Sequence, residues 1–188
     1  GGRINDIEMH ASDQQTIFLG TASGGVFRSQ DAGTTWTPVF DDQPSLSIGD
    51  IAIAPSDKNI IYVGTGEPNA GGGSITYDGN GIYKSLDGGN TWVHKGLDNG
   101  GSTGKVVVHP SDPNIVYTAQ MGNLFGDNSE RGIFKTSDGG ATWQKVLFVS
   151  DSTGGIDLVM NPAHPDTVYA AMWERVRRHN RRTYGGTT

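Results

Sequence analysis

The chain has no cysteine among its 188 residues. That excludes disulfides, cysteine-based zinc sites and thiol catalysis, and it leaves the redox compartment open. No apolar stretch approaches the roughly 20 residues that a membrane-crossing helix needs, so no membrane span is expected. Charge is also sparse. Only 18% of residues are Asp, Glu, Lys or Arg, and the net charge of −6 argues against a nucleic-acid partner. The hydrophobic fraction of 34% is low for a helical bundle. Regularly placed Trp, Tyr and Ile nevertheless argue for a packed core over disorder. The opening Gly1-Gly2-Arg3 carries no charged-then-apolar leader, so any signal peptide is expected to have been removed or left out.

Glycine is what abounds. It supplies 29 residues, about twice the usual share of roughly 7%. Much of it falls in a repeat. Ser29-Gln-Asp31-Ala-Gly33-Thr-Thr35-Trp36 returns as Ser85-Leu-Asp87-Gly-Gly89-Asn-Thr91-Trp92. It returns again as Thr136-Ser-Asp138-Gly-Gly140-Ala-Thr142-Trp143. The tryptophans are 56 and 51 residues apart. A second motif precedes each copy: His10-Ala-Ser-Asp13, Ala54-Pro-Ser-Asp57, His109-Pro-Ser-Asp112 and, a fourth time, Asn161-Pro-Ala-His164. Four units therefore start, and three reach the tryptophan turn.

Each full unit holds four short β-rich runs between turn residues. In the first they are Ile4–His10, Thr16–Thr21, Gly25–Ser29 and Thr35–Phe40. Four strands in roughly 40–55 residues is the pattern of a propeller blade. The expected fold is all-β: a partial β-propeller of four-stranded antiparallel blades, three complete and half of a fourth. The blades are expected at 3–44, 45–98, 101–150 and 151–188. Ile51-Ala-Ile-Ala54 and Val106-Val-Val108 read as innermost strands buried on both faces. The aspartate turn belongs between strands three and four. Its Asp is expected to accept hydrogen bonds from backbone N–H groups two residues on, while Gly supplies a positive φ. Ser29, Asp31, Gly33, Trp36, Ser85, Asp87, Gly89, Trp92, Thr136, Asp138, Gly140 and Trp143 are accordingly read as structural.

These turns resemble the Asp-box (BNR) repeat propellers, a group that spans sialidases, xyloglucanase-type glycoside hydrolases, sortilin-type receptors and a photosystem assembly factor. The likeness covers essentially the whole chain. Gly24-Gly-Val-Phe-Arg-Ser29, Ile48-Gly-Asp-Ile-Ala-Ile-Ala-Pro55, Tyr62-Val-Gly-Thr-Gly-Glu-Pro-Asn69 and Tyr169-Ala-Ala-Met-Trp-Glu-Arg175 carry it most closely toward sortilin-like and BNR-repeat glycosyl-hydrolase-like secreted bacterial proteins. The resemblance implies a secreted, periplasmic or cell-surface location. Propellers of this kind close with more blades, so the chain is expected to be a fragment whose partners include the remaining blades.

Chemistry is expected on the face opposite the aspartate turns, where the loops between strands two and three are long: Glu67–Asn80, Met121–Arg131 and Trp173–Arg182. Asn69, Tyr77, Asp78, Phe125, Trp173, Arg175, Arg177 and Arg178 are the binding candidates there, for a protein or glycan ligand. Xyloglucanase-type enzymes carry a catalytic Asp where this chain has Ala22, and the equivalent positions in later units are Gly66, Met121 and Trp173. None can carry a proton. Glu67 and Glu174, one position later, are weak catalytic candidates. No cofactor and no metal site is expected. The reading that follows is a non-catalytic binding and scaffolding propeller. The alternatives are a glycoside hydrolase fragment and an assembly factor for a protein complex.

Overall fold

The structure, a computed structural model, describes residues 2–69, 77–178 and 181–184; side chains of 178 and 181–184 are not described. Fifteen strands form four antiparallel sheets among the described residues. The first sheet runs β1 (Ile4–His10), β2 (Asp13–Thr21), β3 (Val26–Ser29) and β4 (Thr37–Pro38). The second runs β5 (Ile48–Ala54), β6 (Asp57–Thr65), β7 (Ile82–Ser85) and β8 (Val93–His94). The third runs β9 (Thr103–Val108), β10 (Val116–Gln120), β11 (Gly132–Thr136) and β12 (Gln144–Leu147). The fourth holds β13 (Thr153–Met160), β14 (Val168–Arg178) and β15 (Arg181–Tyr184). Each strand pairs with its sequence neighbour, so every sheet is a meander. The first strands β1, β5, β9 and β13 lie side by side in chain order, which sets the four sheets face to face as successive blades.

The fourth sheet departs from expectation. Trp173–Arg182 was expected as an insertion loop, yet β14 continues through Arg178 and pairs with β15. Arg175 pairs with Tyr184 and Arg177 with Arg182 in that ladder. Arg175 and Val176 are both buried there, on opposite faces of the strand, and the ladder from Arg175–Tyr184 to Arg178–Arg181 holds the stretch extended.

Among the described residues, three clusters fill the joints; the smallest, Ala119, Ile133 and Leu158, lies between blades 3 and 4. Phe18, Val26, Phe40, Ile48, Ile51, Ile53, Ile61, Val63 and Tyr83 pack between blades 1 and 2. Ala52, Ala54, Tyr62, Ile82, Val106, Val108 and Val116 pack between blades 2 and 3. All seven residues of β5 are buried because a blade lies on each side of it. The same repeat positions in blade 1, Ile7 and Met9, are exposed, as are Val159 and Tyr169 on the far side of blade 4.

The aspartate turns are built alike, with a longer reach than expected. Asp31 Oδ1 accepts the Thr35 N–H at 2.8 Å, four residues on, and Oδ2 accepts the Thr35 hydroxyl at 2.7 Å. Asp87 holds Thr91, and Asp138 holds Thr142, in the same way. The Ser29 hydroxyl meanwhile accepts the Gly33 N–H at 2.8 Å. Gly33 makes the loop tight enough, with φ at 89°. Hydrogen bonds from the paired threonine hold Asp31 and Asp87 down to a pKa of about 2.

Beyond each turn the tryptophan reaches backward. Trp92 Nε1 donates to Val39 O of blade 1 at 2.7 Å, and Trp143 Nε1 donates to Lys95 O of blade 2 at 2.6 Å. Trp36 bonds only to Gly33 O of its own turn, at 3.1 Å, and is 37% exposed. At the inner edge the blades are joined by carboxylates. Asp6 Oδ2 accepts Ile51 N at 2.9 Å. Asp50 accepts Val106 N at 2.8 Å and Lys105 Nζ at 2.7 Å. Burial pushes the Asp50 carboxyl up to about 7 against the pull of Lys105.

Two outcomes follow. Trp92→Phe should cost about 1 kcal/mol more in urea unfolding than Trp36→Phe, since only Trp92 loses a bond between blades. Because the folded pKa of Asp50 lies above its unfolded value, its contribution is present at acid pH and is lost as pH rises through about 7. Stability of the wild type should fall across that window by up to about 1.4 kcal/mol per pH unit, and Asp50→Asn should flatten the slope.

Candidate acidic groove on the insertion face

The loops that follow the second strand of each blade lie on one face. The loops between blades reach the same face. There, blades 2 and 3 enclose an open groove of about 510 Å³. Asp78, Asp98, Asn123, Asp127 and Glu130 supply its polar lining, and Phe125 its apolar wall.

One buried arginine shapes it. The Arg131 side chain is 0% exposed. It donates to Met121 O at 2.7 Å, Asn123 O at 2.8 Å and Gly126 O at 3.2 Å, so the 121–131 loop is wrapped around its guanidinium. Burial lowers the Arg131 pKa, with Asp127 and Asp151 opposing. The wrapped loop presents Phe125, 64% exposed, whose N–H is fixed by Asn123 Oδ1 at 2.8 Å. Asn123 Nδ2 also reaches Asp78 Oδ2 across the groove at 3.4 Å. Asp78 is anchored through its own carbonyl, which accepts the Ser45 hydroxyl at 3.2 Å. Asp78 keeps contact with solvent, but the surrounding walls strip part of its hydration and raise its pKa.

The sequence candidates are dispersed by the fold. Asp78 and Phe125 come together in the groove, and Tyr77 stands exposed beside Asp78. Asn69 is exposed at the start of the 70–76 stretch, which lies outside the described residues. Glu67 is 3% exposed and is held by the Arg3 guanidinium through both carboxylate oxygens, one of them at 2.9 Å. Glu174 lies on β14 and accepts the Ser152 hydroxyl at 3.4 Å. Arg175 is buried, donates to Pro68 O and stacks over the Trp173 ring at 4.7 Å. Its role is a strut between blades 2 and 4. Arg177 bonds through its backbone N–H to Leu124 O at 2.8 Å, and Arg178 pairs with Arg181 in the ladder. Ala22 is buried, and its N–H is bonded to Arg3 O at 3.0 Å. Arg131, Asp98, Asn123, Asp127 and Glu130 were not anticipated. For Asn123, Asp127 and Glu130 the signal was the clustering of Asp, Asn and Glu in 121–130 after a second strand.

No family model matches the chain. An ancestral GH74 enzyme superposes with a TM-score of 0.73 over 92% of this chain and 22% of that one, at 19% identity. The fold is a β-propeller. A Paenibacillus xyloglucanase is 30% identical over 159 residues, which span 78% of this chain and 14% of that enzyme. A Hypocrea jecorina xyloglucanase is 28% identical over 166 residues, 78% of this chain and 18% of that enzyme. This propeller segment therefore covers a minor part of the length of the curated relatives it matches. The expectation of a non-catalytic binding and scaffolding module does not stand, because the likeness is to glycoside hydrolases. It had leaned on Ala22, and a missing acid at one position says nothing of carboxylates that other loops deliver.

The groove loop should depend on its arginine. Arg131→Met should destabilise the chain by about 2–3 kcal/mol through three lost charge-assisted bonds. Amide exchange should speed up across 121–130 and leave the three aspartate turns protected.

Proposed function

We propose that the chain is a propeller segment of a glycoside hydrolase acting on a β-glucan of the xyloglucan kind, with the polysaccharide lying in the acidic groove. The observation that carries this reading is the convergence of four carboxylates and an exposed phenylalanine in one open channel. Glycoside hydrolysis uses two carboxyl groups, one giving a proton to the leaving oxygen and one acting as base or nucleophile. A sugar ring also stacks well on an aromatic face. The likeness to xyloglucanases supplies the substrate class.

Asp78 is the proposed acid. Its raised pKa keeps the proton on the carboxyl further into the working range, as a general acid requires. The second carboxylate comes from Asp98, Asp127 or Glu130 across the groove, or from blades beyond this segment. Those further blades also cover Ile7 and Met9 on one side and Val159 and Tyr169 on the other. A polymer substrate cannot enter a cell intact, so the same proposal places the protein outside it.

Xyloglucan hydrolysis by the protein that carries this segment is the test. Asp78→Asn should lower kcat by about 100-fold or more with little change in KM. Glu67→Gln should instead lower the melting temperature through the lost Arg3 pair. Unchanged kcat in Asp78→Asn removes the acid assignment, and no turnover of any β-glucan removes the whole reading.

A further inference from the structure

A second cavity lies on the opposite face, between blades 1 and 2, with a volume of about 270 Å³. It is independent of the acidic groove. The repeat itself provides the control, because the joint between blades 2 and 3 has the same backbone plan. At the first joint Asp13, Arg28, Asn59 and Asp87 line the cavity and keep polar counterparts at the second joint (Asp57, Lys84, Asn114 and Asp138). His10, Thr16, Gln30, Lys58 and Asn90 also line it and keep none. The equivalent repeat positions at the second joint are Ala54, Ile60, Leu86, Pro113 and Ala141. Five polar side chains stand where the repeat otherwise places five apolar ones. At the second joint Tyr62, the counterpart of Phe18, sends its hydroxyl across to Pro113 O at 2.8 Å, and Lys84 lies over its ring at 5.0 Å. At the first joint Phe18 has no hydroxyl to make that crossing.

The charges facing the cavity balance: Arg28 and Lys58 against Asp13 and Asp87. Asp13 Oδ2 accepts Lys58 Nζ at 2.7 Å. Arg28 Nη1 donates to Gly88 O at 2.7 Å and Asn90 Oδ1 at 2.9 Å. Its Nε is buried and has no hydrogen-bond partner. Phe18 and Ile53 complete the lining with an apolar wall. A charge-balanced cavity with donors, acceptors and one apolar wall suits a neutral polyhydroxylated ring. An anion would face two carboxylates, and an apolar molecule would strand the polar lining.

We propose that this inter-blade cavity is a binding site for a single neutral sugar residue, separate from the groove and on the other face of the disc. Binding is read by amide chemical shifts of the protein that carries this segment, titrated separately with D-glucose, D-xylose and D-galactose. At least one sugar should move the Gln30, Asn59 and Gly88 amides saturably in the millimolar range. The triple variant Thr16→Ile, Gln30→Leu, Asn90→Ala installs the residues that the second joint already carries, so the blade plan itself accommodates them. It should keep the wild-type melting temperature and weaken binding by at least about tenfold. The proposal is overturned if no sugar moves those amides, or if the triple variant binds as the wild type does. It is also overturned if inorganic phosphate alone produces the same shifts, which would mark an anion site. A triple variant that fails to fold leaves Gln30→Trp, which blocks the exposed rim and should abolish the same shifts; retained shifts there overturn the site. None of these readouts depends on hydrolysis, so the groove reading stands or falls apart from them.

Discussion

The molecule depends on one contact that crosses from blade to blade: an indole N–H of one blade donating to a backbone carbonyl of the blade before it. Among the described residues, Trp92 to Val39 and Trp143 to Lys95 make it. A meander of four strands buries one apolar face poorly by itself, so each blade gains most of its stability from the next. The aspartate turn exists to aim that indole. Asp31, Asp87 and Asp138 each tie down the threonine next to the tryptophan, and this fixes where the ring leaves the turn. Phe40 shows the result: it is almost fully buried, edge-on to both Tyr83 and Trp92 at 5.2 Å.

The inner edge solves a different problem. Backbones approach so closely there that some positions admit no Cβ. A Cβ on Gly49 would sit 2.0 Å from Thr103 O, and one on Gly104 would sit 2.4 Å from Ile156 O. Polar groups then carry the joint, with Asp6 and Asp50 each accepting an N–H from the next blade. Lys105 stands at the repeat position of these aspartates, so blade 3 answers the acidic positions of blades 1 and 2 with a cation. The outer joints are thus apolar and aromatic, while the inner ones are electrostatic and titratable.

This division leaves the two faces of the disc free to vary. On the insertion face, loops from blades 2 and 3 gather carboxylates around an exposed phenylalanine, and Arg131 holds the shape from beneath. On the face of the aspartate turns, the same scaffold leaves an open polar cavity at one joint and a joint crossed by the Tyr62 hydroxyl at the next. Ala22 belongs to neither feature. It is buried against the Arg3 strand entry, where a carboxylate would need a partner of its own.

Sequence by itself determined the blades. A period-2 apolar pattern, a Gly that permits positive φ and an Asp two residues after a Ser or Thr are local instructions. Ile4–His10 was legible to the residue for that reason. Local pattern misjudged the arginine-rich stretch after Trp173, where burial of Arg175 and Val176 and cross-strand pairing made a strand of what looked like a loop. Only the tertiary structure decided the sites. Glu67 is paired off by Arg3, which is 64 residues away in sequence. Asp78 meets Asn123, 45 residues on, and Arg28 crosses to Gly88 of the following blade. Such partners are chosen by the stagger between whole sheets, and that stagger arises from the packing of every joint together, which no short stretch of residues encodes.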